Sequence, residues 1–186
     1  MTDRPSPETL RLLLDYQPTT GKLFWRERTP DMFEDGAYGA ERKCAMFNGQ
    51  FAGQEAFTST ARGYKVGKVQ GHACSAHCVI WALEHGYWPK EEIDHEDNDK
   101  TNNRLSNLRE ATRSQNMWNN GVQANNTSGF KGVSRHGDRW VARIRCGPRY
   151  GRKKRHLGRF ATPEEAYAAY CAAAQDLHGE FANDET

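Results

Sequence analysis

From Trp140 to Arg145 the chain alternates residue by residue, with Trp140, Ala142 and Ile144 in one set and Val141, Arg143 and Arg145 in the other. Successive side chains of a strand point to opposite faces, so this pattern predicts a strand whose first set turns inward and whose second set faces out. Phe130–Arg135 before it is strand-like, His136-Gly137-Asp138 is a turn, and Lys153–Phe160 reads as a third strand. Thr162-Pro163-Glu164-Glu165 then spells a helix start, with Thr162 as N-cap, Pro163 in the first position and Glu165 closing a capping box. Ala166, Tyr167, Ala169, Tyr170, Ala173 and Ala174 follow, and Gly179 ends the helix. Three strands and one alanine-rich helix predict a three-stranded antiparallel sheet with a helix packed closely on one face.

The charge of this region sets it apart. Residues 121–160 carry eleven Lys/Arg against one acid, Asp138, a net of +10, which leaves −8 for the rest of a chain whose total is +2. Such a split is expected where one part of a chain binds a polyanion; a solvated basic face would carry the same charge, but not arginines interleaved with Trp140 and Ile144. Gly121–Gly129, rich in Asn, Gly and Ser, reads as a linker.

Upstream, Ser6 is a candidate N-cap and Pro7 a first helical residue, with Leu10, Leu13, Leu14 and Tyr16 on the apolar side; Lys22–Trp25 is a short strand candidate. Residues 29–43 read as a loop. Gly63–Val69 alternates as a half-buried strand, Ala76–Leu83 reads as a short apolar helix ending near Gly86, and Glu91–His95 as extended. A further helix is expected to begin near Asn107 and to run to Trp118. The expected division is 1–44, an N-terminal helix and strand region; 45–120, a central domain; 121–128, a linker; and 129–186, the basic sheet-and-helix domain.

The central domain holds the most informative stretch. Asp94-His95 is followed after eleven residues by Asn107-Leu108-Arg109, and after eight more by Asn116. Ala76-His77, Val79–Leu83, Trp88-Pro89, Leu12–Tyr16, Gly21-Lys22-Leu23 and Phe51-Ala52-Gly53 accompany it. This ordered set resembles the HNH nucleases, most closely the homing-type enzymes of phages and mobile introns, over most of residues 8–120. The resemblance implies an α+β chain with a ββα-metal (His-Me finger) core. It implies that Asp94 and Asn116 offer oxygen to one divalent cation per active site, Mg²⁺ or Mn²⁺, since oxygen donors suit hard cations. It makes His95 the general base, histidine being the side chain that ordinarily titrates near neutral pH. Asn107 would hold the loop that orients His95. His77, beside Val79 and Ile80, is expected to be a packed structural histidine, and Arg104, Arg109 and Arg113 suit either phosphate or a solvated face.

The C-terminal motifs are Ser128–Val133, Trp140–Ile144, His156–Phe160, Glu164–Tyr170 and His178–Ala182. They resemble the DNA-binding domain of the Apetala-two/ethylene-responsive-factor (ERF) type. That resemblance implies contacts with duplex DNA by Lys131, Ser134, His136, Arg143, Arg145, Lys154 and His156, and with phosphate by Arg152, Lys153 and Arg155. Ser134, His136 and His156 stand where that family carries Trp or Arg at several positions, so its target sequence does not transfer.

The expected function is therefore a metal-dependent endodeoxyribonuclease with its own DNA reader, from a phage or mobile element. The competing readings are a DNA-binding regulatory protein with an inactive nuclease core and, less well supported, an RNA binder; the sheet lacks the exposed aromatic pair that stacks single-stranded bases. Cys44, Cys74, Cys78, Cys146 and Cys171 form no secreted-type disulfide framework, and Cys74/Cys78 find no second Cys/His pair at zinc-finger spacing. No apolar run is long enough for a membrane span and the N-terminus has no signal pattern, so a cytoplasmic protein (in a bacterial host, if phage-encoded), favoured as a monomer, is expected.

Overall fold

The computed structural model describes residues 4–147 and 153–183. The chain is a mixed α/β protein with several small sheets, and it divides into two compact units, residues 1–110 and 111–186. No helix among the described residues is long and apolar enough to cross a membrane.

The first unit begins with helix α1 (Pro7–Leu13). The Ser6 side chain accepts the Thr9 N–H and Pro7 occupies the first turn, where a missing N–H costs nothing. Strands β1 (Leu14–Gln17) and β2 (Lys22–Trp25) form an antiparallel hairpin, extended by the short β3 (Glu55–Ala56). Residues 29–43 are not all loop. A 3₁₀ turn at Pro30–Met32 leads to helix α2 (Ala40–Phe51). Only Cys44 of α2 is buried, so the helix has no apolar stripe to announce it. It is held instead by Arg28, whose guanidinium lies 3.7 Å from the Phe47 ring centroid and whose backbone N–H donates to Asn48.

Strands β4 (Ser59–Ala61), β5 (Tyr64–Val69) and β6 (His72–Ser75) form a second antiparallel sheet. It feeds directly into helix α3 (Ala76–His85), which is closed by Gly86 in the left-handed conformation. Val79, Ile80, Ala82 and Leu83 of α3 pack with Leu10, Leu13, Leu23, Val69 and Ile93 into one core. Strand β7 (Glu92–His95) pairs with β8 (Leu108–Ala111). The helix expected from Asn107 onward is therefore strand first. Helix α4 (Arg113–Asn119) starts only after Thr112, whose capping box with Gln115 fixes its first turn.

In the second unit, β9 (Val133–His136), β10 (Arg139–Arg145) and β11 (Lys154–Phe160) form an antiparallel sheet in the order β9-β10-β11. Helix α5 (Pro163–His178) begins with the Thr162/Glu165 capping box and ends at Gly179. Ala142 with Val133 and Ala166, and Ile144 with Tyr170 and Ala174, make the contact between sheet and helix. Gly132 is required where the chain enters β9: its φ is +73°, and a Cβ there would collide with the Tyr170 ring and approach the Arg143 carbonyl.

The inward set Trp140, Ala142 and Ile144 is placed as the alternation predicts, but Val141 is not exposed; only 1% of it is accessible. It lies on the central strand opposite Ser134 and Arg159 and between Arg139 and Arg143, where long arginine stems can shield a small side chain. A bulge between Ala142 and Arg143 skips Leu157 of β11.

Candidate active site

The β7–β8 pair delivers the central residues. Ile93, Asp94 and His95 are all buried, at 5%, 4% and 4% exposure. Ile93 anchors the strand in the core, and the two polar side chains beside it are fixed by partners. Arg109 on β8 donates from Nε and from Nη2 to Asp94 Oδ2, both at 3.0 Å. A charge buried this deeply needs such a counterion. Arg109, open to either phosphate or solvent from sequence, is thus the partner of Asp94, and it also approaches Glu96 at 3.9 Å.

The loop between the strands is stapled by Asn107. Its Oδ1 accepts the Asp97 N–H, its Nδ2 donates to Asp97 Oδ1 and to the Asn102 carbonyl, and its own carbonyl accepts the Glu96 N–H. Burial pushes the Asp97 carboxyl up, but hydrogen bonds from Asn102, Asn107 and the Asp99 backbone outweigh it and hold the group below the usual range. Hydrogen bonds from Thr101 do the same for Asp99.

His95 is enclosed by side chains that sequence reasoning did not gather. Its Nε2 lies 3.0 Å from Oδ1 of Asn103, itself 2% exposed. His77 of α3 stands edge-on to it at 5.2 Å between ring centroids, and Tyr64 of β5 lies 5.9 Å from His95 and 5.0 Å from His77. His77 is packed, as expected, but against the candidate base. Burial first, and the His95 ring second, push its imidazole down to about 4. The period-two pattern of β5 placed Tyr64 on a strand, but nothing local marked it or Asn103 as neighbours of His95.

The His77 shift has a consequence for stability. In the unfolded chain His77 takes up a proton near pH 6.5, whereas in the folded chain it does so only near 4. Below 6.5 the unfolded state binds more protons, so stability present above that pH is lost as pH falls toward 4. The loss is on the order of 3 kcal/mol for a shift of this size. Thermal melts across this window should fall more steeply for the wild type than for His77→Phe; parallel curves would contradict this account.

Asn116 lies half-buried on α4, in the second unit. Among the described residues no group of three or more His, Cys, Asp and Glu could hold a metal ion. The sequence-selected donors are a carboxylate and an amide, oxygen donors that suit a hard divalent cation, and any cation at Asp94 would share that carboxylate with Arg109. All five cysteines are free thiols.

On the second unit, directly opposed residues of antiparallel strands share a face. Ser134 opposes Val141, His136 opposes Arg139, His156 opposes Arg143 and Lys154 opposes Arg145. Ser134, His136, Arg143, Arg145, Lys154 and His156 are therefore gathered on the face away from α5, all exposed, with Lys153 and Arg155 exposed nearby. Arg155 differs in opposing Ile144, on the helix side. Arg139 and Arg159 belong to the open face as well; the register finds them, and the period of two could have. Lys131 is half-buried, donates to the Trp118 carbonyl, and is pushed down to about 8 by burial. It lines a cavity of about 360 Å³ with Trp118, Ser134, Arg143, Arg145 and Lys154. Arg152 lies outside the described residues.

Comparison with known proteins agrees with the central motif. A family model described as HNH endonuclease matches residues 74–118. Protein 3.8 of Escherichia phage T7 is 36% identical over 107 residues, which span 57% of this chain and 86% of that protein. The matched segment runs from β6 through α3, the β7–β8 pair and its stapled loop to α4, and so includes Asp94, His95, Asn107 and Asn116. The chain belongs to the family of phage T7 protein 3.8 and carries an HNH endonuclease domain at residues 74–118.

Proposed function

We propose that this protein is a metal-dependent HNH endodeoxyribonuclease, of the homing type found in phages and mobile elements, that hydrolyses phosphodiester bonds in duplex DNA. The observation that carries the reading is His95, held beside Asp94 at the end of β7 by a loop that Asn107 staples. In this reading the His95 imidazole accepts a proton from the water that attacks phosphorus. Asn107 fixes the loop and touches no substrate. Asp94 and Asn116 would hold one Mg²⁺ or Mn²⁺, in the ββα-metal arrangement that the family resemblance implies. Bound there, the cation would stabilise negative charge on the phosphate and on the departing 3′-oxygen. Arg109 pairs with the Asp94 carboxylate and fixes its orientation. The products expected are a 5′-phosphate and a 3′-hydroxyl.

The second unit supplies the DNA reader, in our reading a domain of the Apetala-two/ethylene-responsive-factor type at residues 129–186. The exposed face of Ser134, His136, Arg143, Arg145, Lys154 and His156 supports it, since a basic β-surface can enter the major groove and arginine pairs with guanine O6 and N7. Lys153 and Arg155, with Arg152, are assigned to phosphate, and Lys131 to the margin of that face. A nuclease domain of residues 45–120 and a linker of 121–128 complete the arrangement. One active site nicks; a double-strand cut needs a second visit or a second copy.

Supercoiled plasmid incubated with the protein and Mg²⁺ should relax or linearise, and chelation by EDTA should abolish the conversion. One observation favours the alternative, a DNA-binding regulatory protein with an inactive core: Arg109 already neutralises Asp94. Tight binding to duplex DNA with no cleavage under Mg²⁺ or Mn²⁺ would select it.

A further inference from the structure

We propose that Asn103 is a positioning residue for His95, and that the N-terminal β1–β2 hairpin holds it in place. The inference rests on the reading of His95 as the base.

Asn103 is among the most buried polar residues of the first unit, and a buried amide is costly unless its hydrogen bonds are made. Its Oδ1 meets His95 Nε2 at 3.0 Å. An amide oxygen only accepts, so the proton of the neutral ring sits on Nε2 and the basic lone pair on Nδ1. Asn103 thus sets both the orientation of the ring and the nitrogen that takes the proton.

Asn107 ties the ends of the loop, but the segment around Asn103 is tied by a distant part of the chain. The Tyr16 hydroxyl donates to the Asn103 carbonyl at 3.3 Å and accepts the Leu105 N–H at 2.9 Å. Arg104 Nε donates to the Thr19 carbonyl at 2.8 Å. Gly21, at φ +72°, brings the hairpin turn so close that a Cβ would lie 2.6 Å from Arg104 N and from the Asn103 carbonyl carbon. These contacts tie residues 103–105 to the hairpin. The hairpin lies outside the matched segment 74–118, so this contact gives β1 and β2 a task beyond completing the core.

The test uses the full chain and three variants. Asn103→Leu keeps the volume and removes the acceptor, Asn103→Asp keeps an acceptor oxygen, and Tyr16→Phe removes both hydroxyl bonds while leaving Asn103 itself intact. Long-range ¹⁵N NMR of His95 at alkaline pH, without metal, reads the tautomer independently of cleavage. The wild type and Asn103→Asp should hold the Nε2–H form, whereas Asn103→Leu should lose it. With supercoiled plasmid and Mg²⁺, Asn103→Leu should lower kcat by about ten- to a hundred-fold at unchanged KM. Asn103→Asp should recover most of that loss, and Tyr16→Phe should lose part of it. Melting curves confirm that each variant is folded; should Asn103→Leu not fold, Tyr16→Phe carries the test. An unchanged His95 tautomer in Asn103→Leu, or equal losses in the Leu and Asp variants, overturns the proposal. A wild type that holds the Nε2–H form yet never cleaves DNA overturns the nuclease reading and leaves the positioning role standing.

Discussion

His95→Ala is expected to lower plasmid cleavage by about 10²–10⁴-fold, the range ordinarily supplied by a positioned general base, with DNA affinity unchanged. The side chain is 4% exposed at the end of β7, so its removal leaves a small cavity beside His77 and Tyr64 rather than altering the surface. The fold should survive, because the strand is anchored by Ile93 in the core and the loop by Asn107. Cleavage rates at saturating DNA, melting temperature and DNA affinity, measured together, separate the outcomes. A rate loss at constant affinity and unchanged melting is the expected result. Equal rates for variant and wild type would remove His95 from the chemistry and leave the geometry of the loop as a structural feature only. A parallel loss of melting temperature would assign the effect to packing, and His95→Gln, which fills more of the cavity, would then have to restore activity if packing were the cause.

How much of this was legible without coordinates depends on how local each signal is. Helices α1, α3 and α5 were readable because their ends are written within a few residues: Ser6-Pro7, Gly86 and the Thr162/Glu165 box. Strands β5 and β10 were readable from a period of two. Helix α2 was not, because arginine–aromatic contacts hold it and no apolar stripe does. The Leu108–Ala111 segment was misread as the start of a helix because its partner strand β7 lies beyond the intervening loop. The cap at Thr112 was the overlooked signal. At the candidate site, Asp94, His95 and Asn107 were visible as a spaced motif, and Asn107 bonds to Asp97 and Asn102 within the loop. What surrounds them was not visible. Tyr64, His77 and Asn103 come from three different elements, and Tyr16 reaches the loop across 87 residues of sequence. Such neighbours are products of tertiary packing, which no short-range pattern encodes.

The double substitution Arg143→Ala/Arg145→Ala should produce the largest loss of DNA affinity, about 1–3 kcal/mol for each base contact removed. Both side chains are exposed on β10, and Ile144 between them, 1% exposed against Tyr170 and Ala174, is untouched, so the sheet should keep its stability. Binding measured by fluorescence anisotropy on a fragment that contains a mapped cleavage site reads the loss directly. Repeating it across salt concentrations distinguishes base contacts from phosphate contacts: each phosphate contact removed lowers the salt slope by about one, whereas a lost base contact relaxes sequence preference and leaves the slope alone. Lys131→Ala is the informative contrast. Lys131 is half-buried and donates to the Trp118 carbonyl, so its loss should disturb the local fold of the second unit more than a lost surface contact would. Cleavage at saturating DNA should survive the arginine substitutions, since His95 and Asp94 belong to the other unit. If instead the double variant binds as the wild type does but fails to cut, the division between a reading sheet and a cutting core is wrong, and Arg143 or Arg145 acts in the chemistry.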